Sequence, residues 1–291
     1  MASTEAISSD RIEALTPAHA EAVFPLSVEA GWNQTVADWR FMLGAGQGFG
    51  LRDGLGRWVG SAIALPLGPA LSWLCMVLVA RDQRRRGVGT QLLHSASAAV
   101  RAGGALAGLD ATQAGRAVYL RLGFSDLYSI SRWRLDGGGT PAPAPAGCAI
   151  RHLPADRLPA VIAFDEPRSR MRRGHVLRYL FTSAPDLAYV AERDGRVVGY
   201  ALGRPGRTAT QIGPVVADDS EVALSLVTHG AASVEPGILL DGPDRHRELS
   251  AWLRARGAVR ERGFVRMILG EGDPALADAG RLYALAGAEL G

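Results

Sequence analysis

Apolar and polar positions along this chain fall into short blocks whose period switches repeatedly. Ile12–Leu15 has strand character, and Pro17–Ala30 has helical composition. The loop Gly31-Trp32-Asn33-Gln34 leads to a second short helix over Val36–Leu43. Phe49–Arg52 and Trp58–Leu65 read as strands joined across an Asp53-Gly54 turn. Leu71–Val79 is a long apolar strand. Gly89–Ala102 places Leu92, Leu93, Ala96, Ala99 and Val100 at helical spacing. Ala105–Thr112 is a strand, and Gly115–Leu122 is a helix stopped by Gly123. Tyr128–Leu135 alternates and is expected to close a first half as its last strand.

The pattern then breaks. Residues 137–147, GGGTPAPAPAG, have a linker's composition. The expected organisation is a first domain over residues 1–136, a linker over 137–147 and a second domain over 148–291. Beyond the linker the first pattern returns. Ile150–Leu153 is a strand, and Leu187–Glu192 pairs with Val197–Leu202 across Asp194-Gly195. Gln211–Ala217 corresponds to Leu71–Val79, and Ile238–Leu240 with Asp241 echoes Gly108-Leu109-Asp110. The halves read as an internal duplication.

Composition narrows the classes. Hydrophobic residues make up 47% and charged residues 21% of the 291, a globular balance that excludes disorder. A net charge of +3 gives little support for a nucleic-acid partner. Trp58–Ala80 runs 23 residues without a charge, long enough for a membrane helix, but Gly60, Pro66, Gly68 and Pro69 interrupt it. Two strands around a turn fit better, and no membrane association is expected. The first residues lack a basic and apolar leader pattern. Cys75 and Cys148 form no CxxC pair. A cytoplasmic location follows as an expectation. The histidines show no ligand spacing, so no metal is expected. Arg168–Arg178 is a basic stretch that reads as a solvated helix face or, less simply, an anion site.

Candidate chemistry concentrates in Leu74–Leu93, where an apolar strand meets an Arg/Gly loop and then a helix. A helix N-terminus presents free N–H groups and partial positive charge, which suits a phosphate. Gly87 and Gly89 allow close approach, and Arg84, Arg85 and Arg86 add positive charge. A Walker loop is excluded because the chain has no lysine, and a dinucleotide fingerprint because the third glycine is replaced at Leu92. After Val216 the second half has no counterpart of this loop, so one anion site per chain is expected.

Arg84-Arg85-Arg86-Gly87-Val88-Gly89 resembles the Q/R-x-x-G-x-G/A signature of the GCN5-related N-acetyltransferases. Leu109–Phe124, LDATQAGRAVYLRLGF, resembles the family's second hallmark: a strand, a helix carrying Tyr, then Leu-Gly-Phe. The second half resembles a degenerate copy, as in tandem members of the family. The resemblance implies an α/β (α+β) fold, with two tandem domains that are each a mixed twisted sheet flanked by helices. It implies acetyl-CoA as co-substrate, held in a wedge between the Leu71–Val79 and Ala105–Thr112 strands. Backbone groups of Met76, Val77 and Val79 would meet the pantetheine arm, and the N–H groups from Arg84 to Thr90 the pyrophosphate. The implied reaction is direct acetyl transfer to a primary amine of a small molecule or peptide; a non-catalytic acyl-CoA-binding module is the alternative.

By position Tyr119 is the implied general acid, although its spacing also suits a packed aromatic. Asp110 either holds or deprotonates the amine, or caps the following helix. Thr112 stands where many members have Asn. Trp32, Asn33 and Gln34 are candidates to line the acceptor pocket; alternatively Asn33 caps the next helix. Neither the acceptor's identity nor the oligomeric state is legible.

Overall fold

The computed structural model describes residues 12–137, 139–234, 237–270, 276, 278 and 280–291. Of the stretch read for a leader, residues 1–11 lie outside them and Ile12–Leu15 form a strand. The first half runs β1 Ile12–Leu15, α1 Ala20–Glu29, α2 Val36–Ala45, β2 Gln47–Arg52, β3 Trp58–Pro66, β4 Leu71–Val79, α3 Val88–Ala102, β5 Leu106–Thr112, α4 Gln113–Arg121 and β6 Phe124–Leu135. The second runs β7 Ala149–His152, α5 Leu158–Ser169, α6 Gly174–Ser183, β8 Tyr189–Arg193, β9 Arg196–Pro205, β10 Thr210–Ala217, α7 Ser220–Ala232, β11 Ile238–Pro243, α8 Arg247–Ala255, β12 Val259–Leu269 and β13 Leu282–Ala284. The uncharged Trp58–Ala80 stretch forms β3 and β4. No helix among the described residues is long and apolar enough to cross a membrane.

Among the described residues the strands form one mixed sheet in the order β1-β2-β3-β4-β5-β12-β6-β11-β10-β9-β8-β7, with β13 added beside β10. Read from its two ends inward, the order is the same series twice, except that the sixth strands are exchanged. β12, from the second half, pairs antiparallel with β5 of the first. β6, from the first half, pairs antiparallel with β11 of the second. The two exchanged strands pair with each other at the centre, from Val259 opposite Arg134 to Leu269 opposite Phe124. The strand expected to close the first half therefore lies on the second half's side of the seam. Short antiparallel connections leave a final strand free to pair with any matching edge, and local pattern cannot say which edge it takes.

The helices cover this sheet through the positions that periodicity marks. On α3, Val88, Leu92, Leu93, Ala96 and Val100 are buried against the sheet. Gly60 of β3 leaves the room they need, since a Cβ there would lie 2.7 Å from Leu92 Cδ1. In the second half Val222, Leu226 and Val227 of α7 are buried among β8–β10. The basic stretch Arg168–Arg178 spans the end of α5 and the start of α6, and it is solvated at Arg170, Arg172 and Arg178 but not at Arg173. Arg173 is buried and binds Asp165 through Nε (3.1 Å) and Nη2 (3.0 Å). Arg168 and Arg172 pair with Asp218 and Glu166 at the surface.

Candidate active site

The parallel strands β4 and β5 are in register only from Leu71–Leu106 to Trp73–Gly108 and then separate. At the point of separation Met76 has φ +51°, and the pairing of β4 with β3 shifts register between Ser61 and Ile63. This is a β-bulge, and such a bulge turns the strand and re-aims its backbone groups. The Ser61 hydroxyl donates to the Met76 carbonyl at 2.7 Å and holds the bulge. The β5-facing edge of β4 beyond Trp73 is thus left without a ladder partner.

Past Val79 the chain enters the Arg/Gly loop. Arg85 (φ +61°) and Gly87 (φ +85°) both adopt left-handed conformations, and Gly87 is the N-cap of α3 with no side-chain cap. These two left-handed residues turn the loop directly into the free N–H groups of a helix start, a place suited to an anion. A Cβ at Gly87 would meet nothing within 4 Å, whereas one at Gly89 would press on Val79 Cγ2 at 3.3 Å. Arg84, Arg85 and Arg86 are exposed; Arg84 Nε donates to the Val79 carbonyl (3.1 Å) and Arg86 to Gln83 (2.8 Å). Val88 is buried in the core, and Thr90 is half-buried in the first turn of α3.

The second half treats the equivalent positions differently. β10 and β11 also part, after Gln211 and Leu239, but β13 fills the gap. It pairs antiparallel with Val215 and Val216 of β10, and Leu285 N–H donates to the Asp241 carbonyl of β11 at 2.9 Å. Gly213 admits the segment, because a Cβ there would stand 1.9 Å from the Leu285 carbonyl oxygen. The following helix start is occupied too. Asp219 caps α7 by accepting from Val222 N–H (2.8 Å), and Glu221 adds negative charge to the first turn.

One pocket at the bulge brings together seven of the expected residues, Trp32, Gln34, Met76, Val77, Asp110, Thr112 and Tyr119, while Val79 and the Arg84–Thr90 loop lie outside its lining. Burial pushes the Tyr119 phenol up to about 12. Its ring packs against Phe124 at 5.8 Å between centroids. Asp110 is clamped by Arg266 of β12, whose Nε and Nη2 each donate to one carboxylate oxygen at 2.8 Å. Burial raises the Asp110 carboxyl above the ordinary carboxylate range, against the opposing pull of Arg266. It does not cap α4. That position is taken by Thr112, whose hydroxyl accepts from Gly115 N–H at 3.2 Å.

Asn33 corrects the expectation for its loop. Its side chain points away from the pocket into the turn between β9 and β10. Oδ1 accepts from Thr208 N–H (2.9 Å), Thr208 Oγ1 (2.9 Å) and Ala209 N–H (3.1 Å), while Nδ2 donates to the Ala209 carbonyl (3.0 Å). Nor does it cap α2, which is capped by Thr35 in a reciprocal box with Asp38. A buried amide with two acceptor and two donor sites suits a clamp on a foreign turn.

The pocket also contains groups that sequence reasoning missed, mostly from the second half and the exchanged strands. Arg132, Arg262 and Phe264 come from β6 and β12, and Ala288 and Glu289 from the segment after β13. Trp73 Nε1 fixes that segment by donating to the Ala288 carbonyl at 2.9 Å. Glu289 is buried and paired with Arg204, which also meets Asp38 at 2.5 Å. Burial raises the Glu289 carboxyl, with Arg204 opposing. Cys75 lines the same wall, but burial and the Glu289 charge push its thiol up, which keeps it un-ionised and a poor nucleophile. No cluster of potential metal ligands exists among the described residues.

A model of the acetyltransferase (GNAT) domain matches residues 45–126, and a second GNAT-domain model matches residues 161–284. The chain belongs to the GCN5-related N-acetyltransferase family, as a tandem member. It is an acetyltransferase. The uncharacterized N-acetyltransferase YitH of Bacillus subtilis is 23% identical over 287 residues, covering 97% of this chain and 99% of the relative. A candidate acetyltransferase from Pyrococcus horikoshii has the same fold with a TM-score of 0.77 at 17% identity, covering 100% of this chain and 99% of its own. A tandem GNAT protein from the clavulanic acid biosynthesis pathway follows at a TM-score of 0.62 and 19% identity, over 90% of this chain and 100% of its own.

Proposed function

We propose that the chain transfers the acetyl group of acetyl-CoA to a primary amine of a small molecule or peptide, with a single active site built on the first half. The observation that carries this reading is the contrast between the two clefts. The β4–β5 cleft has an unladdered strand edge and an uncapped helix start; the β10–β11 cleft is filled by β13 and its helix start is capped by Asp219. Backbone groups of Met76, Val77 and Val79 would hold the pantetheine arm as an added strand is held. The N–H groups from Arg84 to Thr90 would hold the pyrophosphate.

When bound, acetyl-CoA supplies an acetyl thioester whose carbonyl carbon accepts the amine nitrogen and whose sulfur departs. The backbone N–H groups at the Met76 bulge would donate to the oxygen on which negative charge develops. Tyr119, kept protonated by its apolar surroundings, would give its hydroxyl proton to the sulfur and regain one from the amine. Asp110 and Arg266 would act together as a fixed dipole on the pocket wall, and Asp110 would not move protons. The segment after β13 and the exchanged β12 complete the acceptor side, so the second half serves the first half's site.

Calorimetric titration of the full chain tests the reading. The expected result is one acetyl-CoA per chain, with Gly87→Val weakening it, because a branched residue resists φ +85°. An amine panel with mass spectrometry of the products then identifies acetylated acceptors. Two equivalent sites, or an affinity indifferent to Gly87, would remove the proposed phosphate position.

A further inference from the structure

Four charged side chains line the pocket: Asp110, Arg132, Arg262 and Glu289. Three have committed partners. Asp110 is held by Arg266, Arg132 by Asp241 through two bonds of 2.7 and 2.6 Å, and Glu289 by Arg204. Arg262 has neither an ion pair nor a hydrogen bond among the described residues. It stands cross-strand from Arg132, with its guanidinium carbon 5.7 Å from the centre of the Phe264 ring. The carboxylates whose fields reach it are Asp241, Glu261 and Glu289. Each is already bound to another arginine: Arg132, Arg134 and Arg204 respectively. Burial, with the neighbouring Arg132 charge, lowers the Arg262 pKa, the direction expected of a half-buried cation without a counter-ion. In the same pocket Gln34 Oε1 is buried and accepts no hydrogen bond.

An unpaired cation and an unpaired acceptor in one pocket both carry a desolvation cost that ligand groups can offset. We infer that the acceptor is an amine that also bears a carboxylate, with Arg262 taking the carboxylate and the Gln34 amide oxygen taking an amine proton. A guanidinium fork matches a carboxylate in two parallel bonds, and its selectivity against an uncharged analogue follows from leaving that fork unpaired. The inference rests on the proposed acetyl transfer and specifies its acceptor. A carboxylate at the end of a longer acyl chain would present the same chemistry from the donor side, so the test separates the two sources.

The full-length chain is assayed for thiol release with acetyl-CoA, and in parallel with succinyl-CoA, against three matched acceptors: an amino acid, its carboxamide and the amine lacking the carboxyl carbon. Wild type, Arg262→Gln and Arg262→Lys are compared. Taking the ratio of variant to wild type for each acceptor cancels intrinsic differences in amine reactivity. Arg262→Gln should lower kcat/KM for the amino acid by about 10- to 100-fold, chiefly through KM, as loss of a charged hydrogen-bond pair does. The carboxamide and the simple amine should change by less than about 3-fold, since neither presents the charge that Arg262 pairs with. Arg262→Lys should recover part of the loss. An equal loss on all three acceptors overturns the inference, as does a succinyl-CoA preference that Arg262→Gln abolishes. Turnover of none of the amines by wild type overturns the acetyl-transfer reading itself, and this inference with it.

Discussion

At Tyr119 a phenol sits among apolar neighbours on the wall of the pocket, and its environment sets its chemistry. A phenol ordinarily ionises near pH ~10, and burial moves this one to about 12. The acid form therefore persists further into alkali, and an alkaline limb of kcat set by this group should lie near 12. The sign for stability follows from the same shift. The folded state keeps a proton that the unfolded chain releases above pH ~10, so stability falls as pH rises through that window. Tyr119→Phe should leave acetyl-CoA affinity near wild type and slow turnover by about 10²- to 10⁴-fold, the range of general acid–base groups. Stopped-flow thiol release at saturating substrates measures it; a wild-type rate would take Tyr119 out of the mechanism. The places of Tyr119 and Gln34 on the pocket wall agree with what family position and loop chemistry led one to expect. Asn33 was misread for a physical reason: its partners, Thr208 and Ala209, lie more than 170 residues away, and no local pattern reports them.

Between strands, the same device appears twice. Asp110 of β5 faces Arg266 of β12, and Asp241 of β11 faces Arg132 of β6, each as direct cross-strand partners and each joining the two halves. Removing one partner of such a buried pair leaves an uncompensated charge, typically costing about 3–5 kcal/mol. Arg266→Met should therefore lower stability by that order in urea unfolding. Arg266→Met combined with Asp110→Asn should recover part of it. Equal losses for the single and double variants would mean that the pair matters only through packing. The elements themselves were legible, because β3, β4, α3 and β5 carry strong periodicity and clear turn residues. The alignment of Asp241 with Asp110 was legible too. The arginines opposite them were not, since pairing of the final strands depends on register across a seam the sequence does not mark.

For the whole molecule, the exchange of β6 and β12 makes the halves interdependent. Residues 1–147 alone would present β5 without β12, and residues 148–291 would present β11 without β6. A bare, largely apolar strand edge invites non-native pairing. Each fragment expressed alone should be insoluble or lack a cooperative melt, and co-expression should restore a complex with a single transition. Circular dichroism and size exclusion decide it. A 1–147 fragment that melts cooperatively and binds acetyl-CoA would show that the exchanged strand is dispensable. The linker composition at 137–147 thus marks a joint in the chain but not a seam in the sheet.

The exchange also sets a clock. β5 leaves the ribosome about 150 residues before the strand that completes its edge, an interval of roughly 10–30 s at ordinary synthesis rates. Through that interval the nascent first half carries an open edge and a pocket wall without Phe264, Arg262 or Glu289. On the proposed site, a product truncated before β12 would lack both the strand that completes the β5 edge and these pocket residues, and is expected to show no transferase activity.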